Sequence, residues 1–266
     1  MRGRTEALVL RAAEYGEGHK IVTLLTREAG KIGLVARGAG KPRGRLTAAC
    51  QPLVCGFYSF SRFGSSLGTL HHAEIERVFR RLREDLLLTA IAAYVMELTD
   101  RMLADGEPQP EFYDQLKAGL AAMDEGKDPL VLMHALELKL LGLGGYRPVL
   151  DACVECGRQE GPFLFAPRLG GLFCSACADR QAGMPSARSG GGFSARADWA
   201  AGGVVPLNAS ALRLLRLLGG VDLRRLGRVE VRPETERTLR EVLRRYFEEQ
   251  ADLRANSWVL LENLLR

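Results

Sequence analysis

The sequence has no long apolar run. None of its hydrophobic stretches approaches the ~20 consecutive apolar residues that a membrane-spanning helix requires. The first residues, MRGRTEALVLRAAEYGEG, become charged too early to form the apolar core of a signal peptide. We therefore expect a cytoplasmic protein without a membrane partner. With 266 residues, 47% of them hydrophobic and 26% charged, the chain is long enough for two modest globular domains.

Motifs for covalent or metal-assisted catalysis are also missing. There is no G-x-S-x-G elbow, no H-E-x-x-H pair and no cluster of Asp and Glu residues for a two-metal nuclease. No histidine has a carboxylate or cysteine partner at metal-binding spacing; the histidines are His19, His71, His72 and His134. The sequence therefore indicates that the protein is not an enzyme. An enzyme with an unrecognised site stays open as an alternative, but it has no candidate pocket.

The glycine-rich stretch GLVARGAGKPRGRL, residues 33–46, matches neither common nucleotide-phosphate loop. A P-loop needs G-x-x-x-x-G-K-[ST], but Val35 replaces its first glycine and Pro42 follows Lys41. A dinucleotide loop needs G-x-G-x-x-G, but Arg43 replaces its third glycine and the next residues have strand character. Because the stretch contains four cations and no acid, we interpret it as a contact for a polyanion.

Positive charge is concentrated in the first third of the chain. Residues 1–80 contain 13 Lys and Arg against 6 Asp and Glu, a net charge of +7. Residues 81–150 contain 7 against 12, and the remainder contains 17 against 14. This asymmetry favours a polyanion partner at the N-terminal region, although a merely Arg-rich protein would also be basic. We interpret the carboxylates of the acidic middle third as a solvated helix face that is free for protein contacts.

Five short segments of strand character occupy the first eighty residues. Each is rich in Val, Ile, Leu, Thr or aromatic residues, and turns containing glycine occur between them: TEALVLRAA, HKIVTLLTR, KIGLVARG, QPLVCGFYSF and SLGTLHHAEIERV. Because no helix-length crossover separates them, they fit a small closed barrel better than a parallel sheet. We expect a five-stranded β-barrel of the oligonucleotide-binding (OB) type, with an SH3-like barrel as the alternative.

Small barrels hold single-stranded nucleic acid with cations that follow the phosphates and with rings on which bases stack. The candidate cations are Lys20, Lys31, Arg37, Lys41, Arg43 and Arg45. The candidate rings are Tyr58 and Phe63, taken from the aromatic residues in or just beyond the fourth strand, some of which must point into the core. The alternative for the basic stretch is a solvated hairpin.

From Phe79 onward the apolar spacing becomes helical. Three helices are predicted before residue 150: VFRRLREDLLLTAIAAYVMELTDRML, PEFYDQLKAGLAAMDEG, and DPLVLMHALELKLLGLGGYRP with Asp128 as its N-cap. The stretch GMPSARSGGGFSARADWAAGG is interpreted as a loop or linker. Three more helices follow it: NASALRLLRLLGG with Asn208 as its N-cap, RPETERTLREVLRRYFEEQ, and SWVLLENLLR.

Four cysteines form two C-x-x-C pairs separated by seventeen residues: Cys153, Cys156, Cys174 and Cys177. This spacing is typical of a zinc-ribbon-like module, and four thiolates leave no open position for substrate, so we expect one structural Zn²⁺. An iron–sulfur cluster and disulfides are the alternatives, although a reducing cytosol disfavours disulfides. Cys50 and Cys55 are expected in the core.

These elements define an α+β chain with four predicted parts. Residues 1–80 are the OB-type domain, which we expect to bind nucleic acid, and residues 81–150 are the first part of a helical domain. Residues 151–182 are the zinc module with its four cysteines. Residues 183–266 are a linker and C-terminal helices that complete the helical domain.

Several stretches resemble the bacterial RecO family of DNA repair and recombination proteins. They are EGHKIVTLLTREAGKIGLVARGAGKPRGRL, QPL, LGTLHHAEI, ALELKLLGLGGYRPVLDACVECG and GGLFCSAC, in this order. The resemblance covers nearly the whole chain and is strongest in residues 14–76 and 134–177.

The resemblance implies an OB domain, a helical domain and an inserted zinc module. It further implies a mediator of the RecF pathway, active after DNA damage, that binds single- and double-stranded DNA and anneals complementary strands. RecR, RecF and single-strand-binding protein are the implied partners in loading RecA, and the implied location is the nucleoid. The alternative from another functional class is an RNA-binding factor associated with translation or transcription, because a barrel and a ribbon occur together there as well.

Overall fold

The computed structural model describes residues 2–64, 67–183 and 203–266. The chain forms two compact units. The first unit comprises Met1–Leu136, Asp222–Arg225 and Ala255–Arg266, and the second comprises Glu137–Val221 and Leu226–Arg254. The predicted boundaries of the four parts stay a prediction. Most of the predicted linker, residues 184–202, lies outside the described residues.

Five strands close into a barrel in the first unit: β1 (Arg2–Tyr15), β2 (His19–Thr26), β3 (Gly30–Ala36), β4 (Val54–Ser61) and β5 (Gly68–Val78). The order around the barrel is β1-β2-β3-β5-β4, and β4 pairs back onto β1. Between the described strands of this sheet, β3 and β5 pair in parallel and the other pairs are antiparallel. The five predicted segments are confirmed as strands, and the OB-type barrel is confirmed as the fold of the N-terminal region.

The barrel core is built by alternation along the strands. In β3 the buried residues are Ile32, Leu34 and Ala36, and the residues between them are half-buried, as a period of two requires. Residues after β3 also contribute to this core: Ala39, Leu46, Ala49 and Cys50. Burial raises the pKa of the Cys50 thiol to about 11, which is consistent with its predicted place in the core.

Helices cover part of the barrel within the first unit. They are α1 (Arg81–Glu84), α2 (Leu86–Met102) and α3 (Pro110–Asp124), followed by α4 (Pro129–Leu143), which extends into the residues of the second unit. The single helix predicted over residues 78–103 was wrong, because Asp85 is extended and its side chain accepts a hydrogen bond from Leu88 N. Asp85 thereby ends α1 and acts as the N-cap of α2.

The second unit combines a small sheet with helices. Its antiparallel strands are β6 (Phe163–Ala166), β7 (Gly171–Cys174) and β8 (Val205–Leu207), in the order β7-β6-β8. Its helices are α5 (Ser175–Gly183), α6 (Ala209–Gly220) and α7 (Pro233–Gln250). Tyr246 of α7 packs on Phe165 of β6, with ring centroids 5.4 Å apart. Asn208 is the N-cap of α6, as predicted, since its side chain accepts from Ala211 N at 2.8 Å.

The last helix, α8 (Trp258–Leu264), belongs to the first unit. The Glu97 carboxylate of α2 accepts hydrogen bonds from Asn256 N, Ser257 N and Ser257 Oγ at 2.6–2.8 Å. Trp258 packs on Tyr94, with ring centroids 5.3 Å apart. Within the described residues, no helix has the length and apolar character needed to cross a membrane.

Candidate nucleic-acid interface and metal centre

The basic loop, residues 37–53, connects β3 to β4 and covers one end of the barrel. Its buried residues include Leu46 and Cys50, which complete the barrel core, whereas its cations are exposed: Arg37, Lys41, Arg43 and Arg45. The loop is a series of turns, and β3 and β4 are not paired with each other. The solvated-hairpin alternative was therefore wrong about its structure.

Hydrogen bonds fix this loop to the neighbouring turn and strand. The Gly38 N–H donates to His19 Nδ1 at 2.9 Å, and the Gly40 N–H donates to the Gly18 carbonyl at 3.1 Å. The Arg45 guanidinium donates to the His71 carbonyl at 3.1 Å. The four cations are therefore presented by a folded loop with several anchors rather than by a free segment.

One glycine of the loop is required by close packing. A Cβ at Gly44 would lie 2.0 Å from the Gly38 carbonyl oxygen and 2.7 Å from Thr47 Oγ1. Gly38 itself has a φ of +74°, where residues with a side chain are strained. The turn that displays Arg43 and Arg45 therefore depends on glycine at position 44.

Strand register brings further cations to the same barrel end. Lys20 lies opposite Ala36, which directly precedes Arg37, and Lys20 Nζ is 3.2 Å from a carboxylate oxygen of Glu14. The Lys41 side chain covers Gly18 in the turn between β1 and β2. Lys20 thus lies beside the basic loop, as an interface residue would, although one neighbouring carboxylate partly offsets its charge.

The loop cations lack acidic partners. Among the residues that the structure describes, no carboxylate oxygen lies within 4.0 Å of the charged atoms of Arg37, Lys41, Arg43 or Arg45. A cation that no carboxylate neutralises attracts a phosphate group more strongly than a cation in an ion pair does. This end of the barrel is therefore electropositive.

Other barrel cations are neutralised by the helices of the first unit. Arg11 lies 2.7 Å from Asp100, Arg27 lies 2.9 Å from Asp114, and Arg77 lies 3.1 Å from Glu125. The hydrogen bonds from the Arg27 guanidinium hold the pKa of Asp114 below its usual value. For Asp100, Asp114 and Glu125 the interpretation as a solvated face free for partners was therefore wrong, because they pair with the barrel. For the exposed carboxylates of Glu107 and Glu111 it stays a prediction.

Lys31 was wrongly predicted as a phosphate contact. Its ammonium lies 3.3 Å from carboxylate oxygens of both Asp100 and Asp105 and also donates to the Asp100 carbonyl. Only 12% of its side chain is exposed. Lys31 therefore attaches β3 to the last turn of α2 and to the segment after it, and its charge is neutralised there.

Tyr58 was wrongly predicted as a stacking ring. It is fully buried in the barrel core, and its hydroxyl donates to the Ala49 carbonyl at 2.8 Å. A buried ring has no free face for a base. Phe63, by contrast, is 80% exposed in the connection between β4 and β5, so its predicted role stays a prediction.

Two residues that the sequence reasoning missed flank the turn between β1 and β2. His19 anchors the basic loop through Nδ1, and Tyr15, opposite His19, is 49% exposed. The sequence could have indicated both residues, because an aromatic residue and a histidine flank the glycine-containing turn Gly16–Gly18. Turns of small barrels often border the ligand.

The four predicted cysteine ligands lie together in the second unit. The sulfurs of Cys153 and Cys177 are 3.9 Å apart, those of Cys156 and Cys174 are 3.7 Å apart, and all four lie within 4.8 Å of one another. Four sulfurs around one tetrahedral ion at ~2.3 Å are about 3.8 Å apart. All six cysteines are free thiols in this structure. The group could therefore hold a single metal ion.

Local contacts favour the thiolate form of Cys153, whereas burial and the hydrogen bond with Cys156 raise the pKa of Cys177. Burial by itself raises the pKa of Cys153, but hydrogen bonds from backbone N–H groups, including those of Cys156 and Cys174, outweigh it and lower the pKa to about 6. Arg180, one turn after Cys177 on α5, donates to Cys177 Sγ at 2.8 Å. The sequence reasoning missed Arg180. Its position three residues after Cys177 on a helix could have indicated the contact, because residues at this spacing are neighbours on one helix face.

A second group of potential metal ligands is already paired with a lysine side chain, that of Lys117. Glu6, Cys55 and Glu76 lie close enough to share an ion, but the Lys117 ammonium contacts Glu6 and lies 3.0 Å from Glu76. The Tyr113 hydroxyl also contacts Glu6, at 3.2 Å. This cluster attaches α3 to the barrel through a side-chain cation.

The OB barrel, the helices and the four-cysteine group are parts that the resemblance implied, and the comparisons match the same family. The family model described as "Recombination protein O N terminal" matches residues 1–79. The model described as "Recombination protein O C terminal" matches residues 83–191 and 186–258. The chain belongs to the recombination protein O family.

Curated relatives match over nearly the full length. DNA repair protein RecO of Bacillus pumilus (strain SAFR-032) is 40% identical over 250 residues, which cover 94% of this chain and 90% of the relative. The corresponding proteins of Bacillus subtilis (strain 168) and Exiguobacterium sibiricum are 39% and 40% identical and cover 99% and 100% of this chain. The matched regions cover 95% and 98% of those two relatives.

Proposed function

We propose that this protein is a DNA repair and recombination mediator that binds single- and double-stranded DNA and anneals complementary strands. Its membership of the recombination protein O family supports the role in repair. We further propose that it helps to load RecA onto DNA coated with single-strand-binding protein, together with RecR and RecF, at the nucleoid in the cytoplasm. The predicted domain, residues 1–80, would carry the DNA contact.

The observation that carries the proposal is the division of the barrel's cations into two sets. Arg11, Arg27 and Lys31 face carboxylates of the first unit. The cations of the basic loop have no carboxylate within 4.0 Å among the described residues: Arg37, Lys41, Arg43 and Arg45. A cationic surface of this kind gains affinity by releasing the counterions condensed on nucleic acid. Lys20 and Phe63 complete the proposed interface.

Annealing needs no bond to be made or broken. Two complementary strands repel each other through their phosphates, and cations that cover those phosphates reduce the repulsion. The proposal therefore assigns no catalytic residue and treats the protein as a binding factor rather than an enzyme.

We propose that Cys153, Cys156, Cys174 and Cys177 hold one structural Zn²⁺. Sulfur–sulfur distances of 3.7 and 3.9 Å support a single tetrahedral ion. A cluster of several irons would need more space between the thiolates. The bound ion would stabilise the connection between β7, α5 and the segment before β6.

The experiment is a strand-annealing assay with labelled complementary oligonucleotides, accompanied by competition between single-stranded DNA and RNA of equal length. We expect the wild-type protein to accelerate annealing and to bind DNA at least as tightly as RNA. No acceleration would contradict the annealing proposal. A clear preference for RNA would favour an RNA-binding factor instead, because contacts to the 2′-hydroxyl distinguish the two polymers.

A further inference from the structure

Tyr15 has an exposed aromatic ring at the end of β1. It lies directly before the turn at Gly16, and 49% of the residue is accessible. Exposed aromatic rings on small barrels are suited to bind nucleobases, because every base presents a π-face.

The strand register sets the direction of this ring. Tyr15 lies directly opposite His19 across the β1–β2 pair, and residues opposite each other in an antiparallel pair project to the same side. The His19 imidazole contacts the Gly38 amide of the basic loop. The Tyr15 ring therefore lies on the side of the turn that faces the cations of this loop.

The other exposed or nearby rings of the barrel do not offer this arrangement. Phe57 is covered by the Arg4 guanidinium, 4.9 Å from its ring centroid, and Tyr58 is buried. Phe63 is exposed but belongs to the connection between β4 and β5. Tyr15 is thus the ring whose strand partner directly contacts the basic loop.

We propose that Tyr15 stacks on an unpaired nucleobase while the basic loop binds the adjacent phosphates. This inference rests on the proposed DNA-binding function and adds a residue that distinguishes single strands from duplex. In a duplex the bases are already stacked on their neighbours, so the ring has no base face to bind. Tyr15 therefore contributes to the affinity for single strands and not to that for duplex.

The test measures equilibrium binding of the protein to oligo(dT), to an abasic strand of equal length and to a blunt-ended duplex without unpaired bases. We expect Tyr15→Ala to weaken oligo(dT) binding roughly 5- to 100-fold, since stacking contributes that much per base. Tyr15→Phe keeps the ring and is expected to bind like the wild type. Binding to the abasic strand and to the duplex should not change in either variant.

A matched control is Tyr146→Ala, which removes a ring that is 37% exposed in the second unit. It should leave all three affinities unchanged. Equal oligo(dT) binding by the wild type and Tyr15→Ala would overturn the inference while leaving DNA binding intact. An equal loss on the abasic strand would also overturn it, because the effect would then not involve a base. No binding of any strand by the wild type would instead contradict the proposed function.

Discussion

Arg27, which follows β2, binds both carboxylate oxygens of Asp114 on α3, at 2.9 and 3.1 Å. This pair shows how the helices of the first unit modify the charge of the barrel. Carboxylates from residues 100–125 neutralise cations on one part of its surface. Among the described residues, no carboxylate oxygen lies within 4.0 Å of the charged atoms of the four loop cations, although Glu14 lies beside Gly40 of the loop. The net charge of the first eighty residues therefore becomes a localised cationic surface.

Gly44→Ala is expected to disturb the basic loop. The added Cβ would lie 2.0 Å from the Gly38 carbonyl oxygen, so the turn must move. We expect the free energy of unfolding to fall by about 1–3 kcal/mol and single-stranded DNA binding to weaken. Gly142→Ala is the matched control, because a Cβ there meets nothing within 4 Å. Urea unfolding and DNA titration of both variants measure the effects, and identical behaviour of the two variants would contradict this role of Gly44.

His19 is expected to position the basic loop. In a neutral imidazole whose Nδ1 accepts the Gly38 N–H, the proton must lie on Nε2. His19→Ala removes the acceptor and should weaken single-stranded DNA binding about 5-fold, since one hydrogen bond contributes ~1 kcal/mol. His19→Asn places an amide oxygen near the position of Nδ1 and should restore most of the affinity.

The measurement for His19 combines DNA titration with hydrogen exchange at the Gly38 amide. We expect faster exchange in His19→Ala and protection in His19→Asn. If His19→Ala left both the DNA affinity and the exchange rate of the Gly38 amide unchanged, His19 would have no role in positioning the basic loop.

The sequence predicted those features that depend on local pattern. The five strands, the N-cap at Asn208 and the exposed cations of the basic loop follow from composition and spacing within a few residues. Tyr58 was misassigned as an exposed ring. The alternation of residues along a strand separates two faces, but it does not show which face points into the closed barrel. Lys31 was misassigned because its partner Asp100 is 69 residues away, and only the folded chain brings them together.

Glu97→Ala is expected to loosen α8. Burial alone would raise the pKa of the Glu97 carboxyl, but hydrogen bonds from Ser257 and Asn256 outweigh burial and lower it. The loss of these bonds at neutral pH should reduce the free energy of unfolding by about 1–2 kcal/mol. Glu84→Ala, at an exposed glutamate of α1, is the control and should have little effect.

The effect of Glu97 should depend on pH. Because the carboxyl binds a proton less readily in the folded than in the unfolded chain, its contribution is present above pH ~4.3 and is lost as pH falls through its lowered pKa. Unfolding curves at neutral and acidic pH test this. A difference between wild type and Glu97→Ala that grows on acidification would contradict the assignment.

Metal analysis tests the four-cysteine centre. We expect about one zinc ion per purified chain, and much less in Cys156→Ser and Cys174→Ser, because a tetrahedral site needs four ligands. Cys55→Ser is the matched control, since this buried cysteine lies outside the group and should keep the metal. A chelator should lower the melting temperature of the wild type, because metal binding contributes to folding free energy. Iron in place of zinc, or no metal, would contradict the zinc assignment.

The most direct test of the account is a salt series of single-stranded DNA binding for two variants of equal net charge. The loop variant is Arg37→Glu, Lys41→Glu, Arg43→Glu and Arg45→Glu. The control variant reverses four other exposed arginines: Arg80, Arg228, Arg254 and Arg266.

Each phosphate contact contributes about −0.7 to the slope of log K against log salt for single strands. We predict that the loop variant binds far more weakly and with a flatter slope, and that the control variant stays close to the wild type. Equal losses in the two variants, or a loop variant that binds like the wild type, would contradict the claim that this loop is the DNA-binding surface.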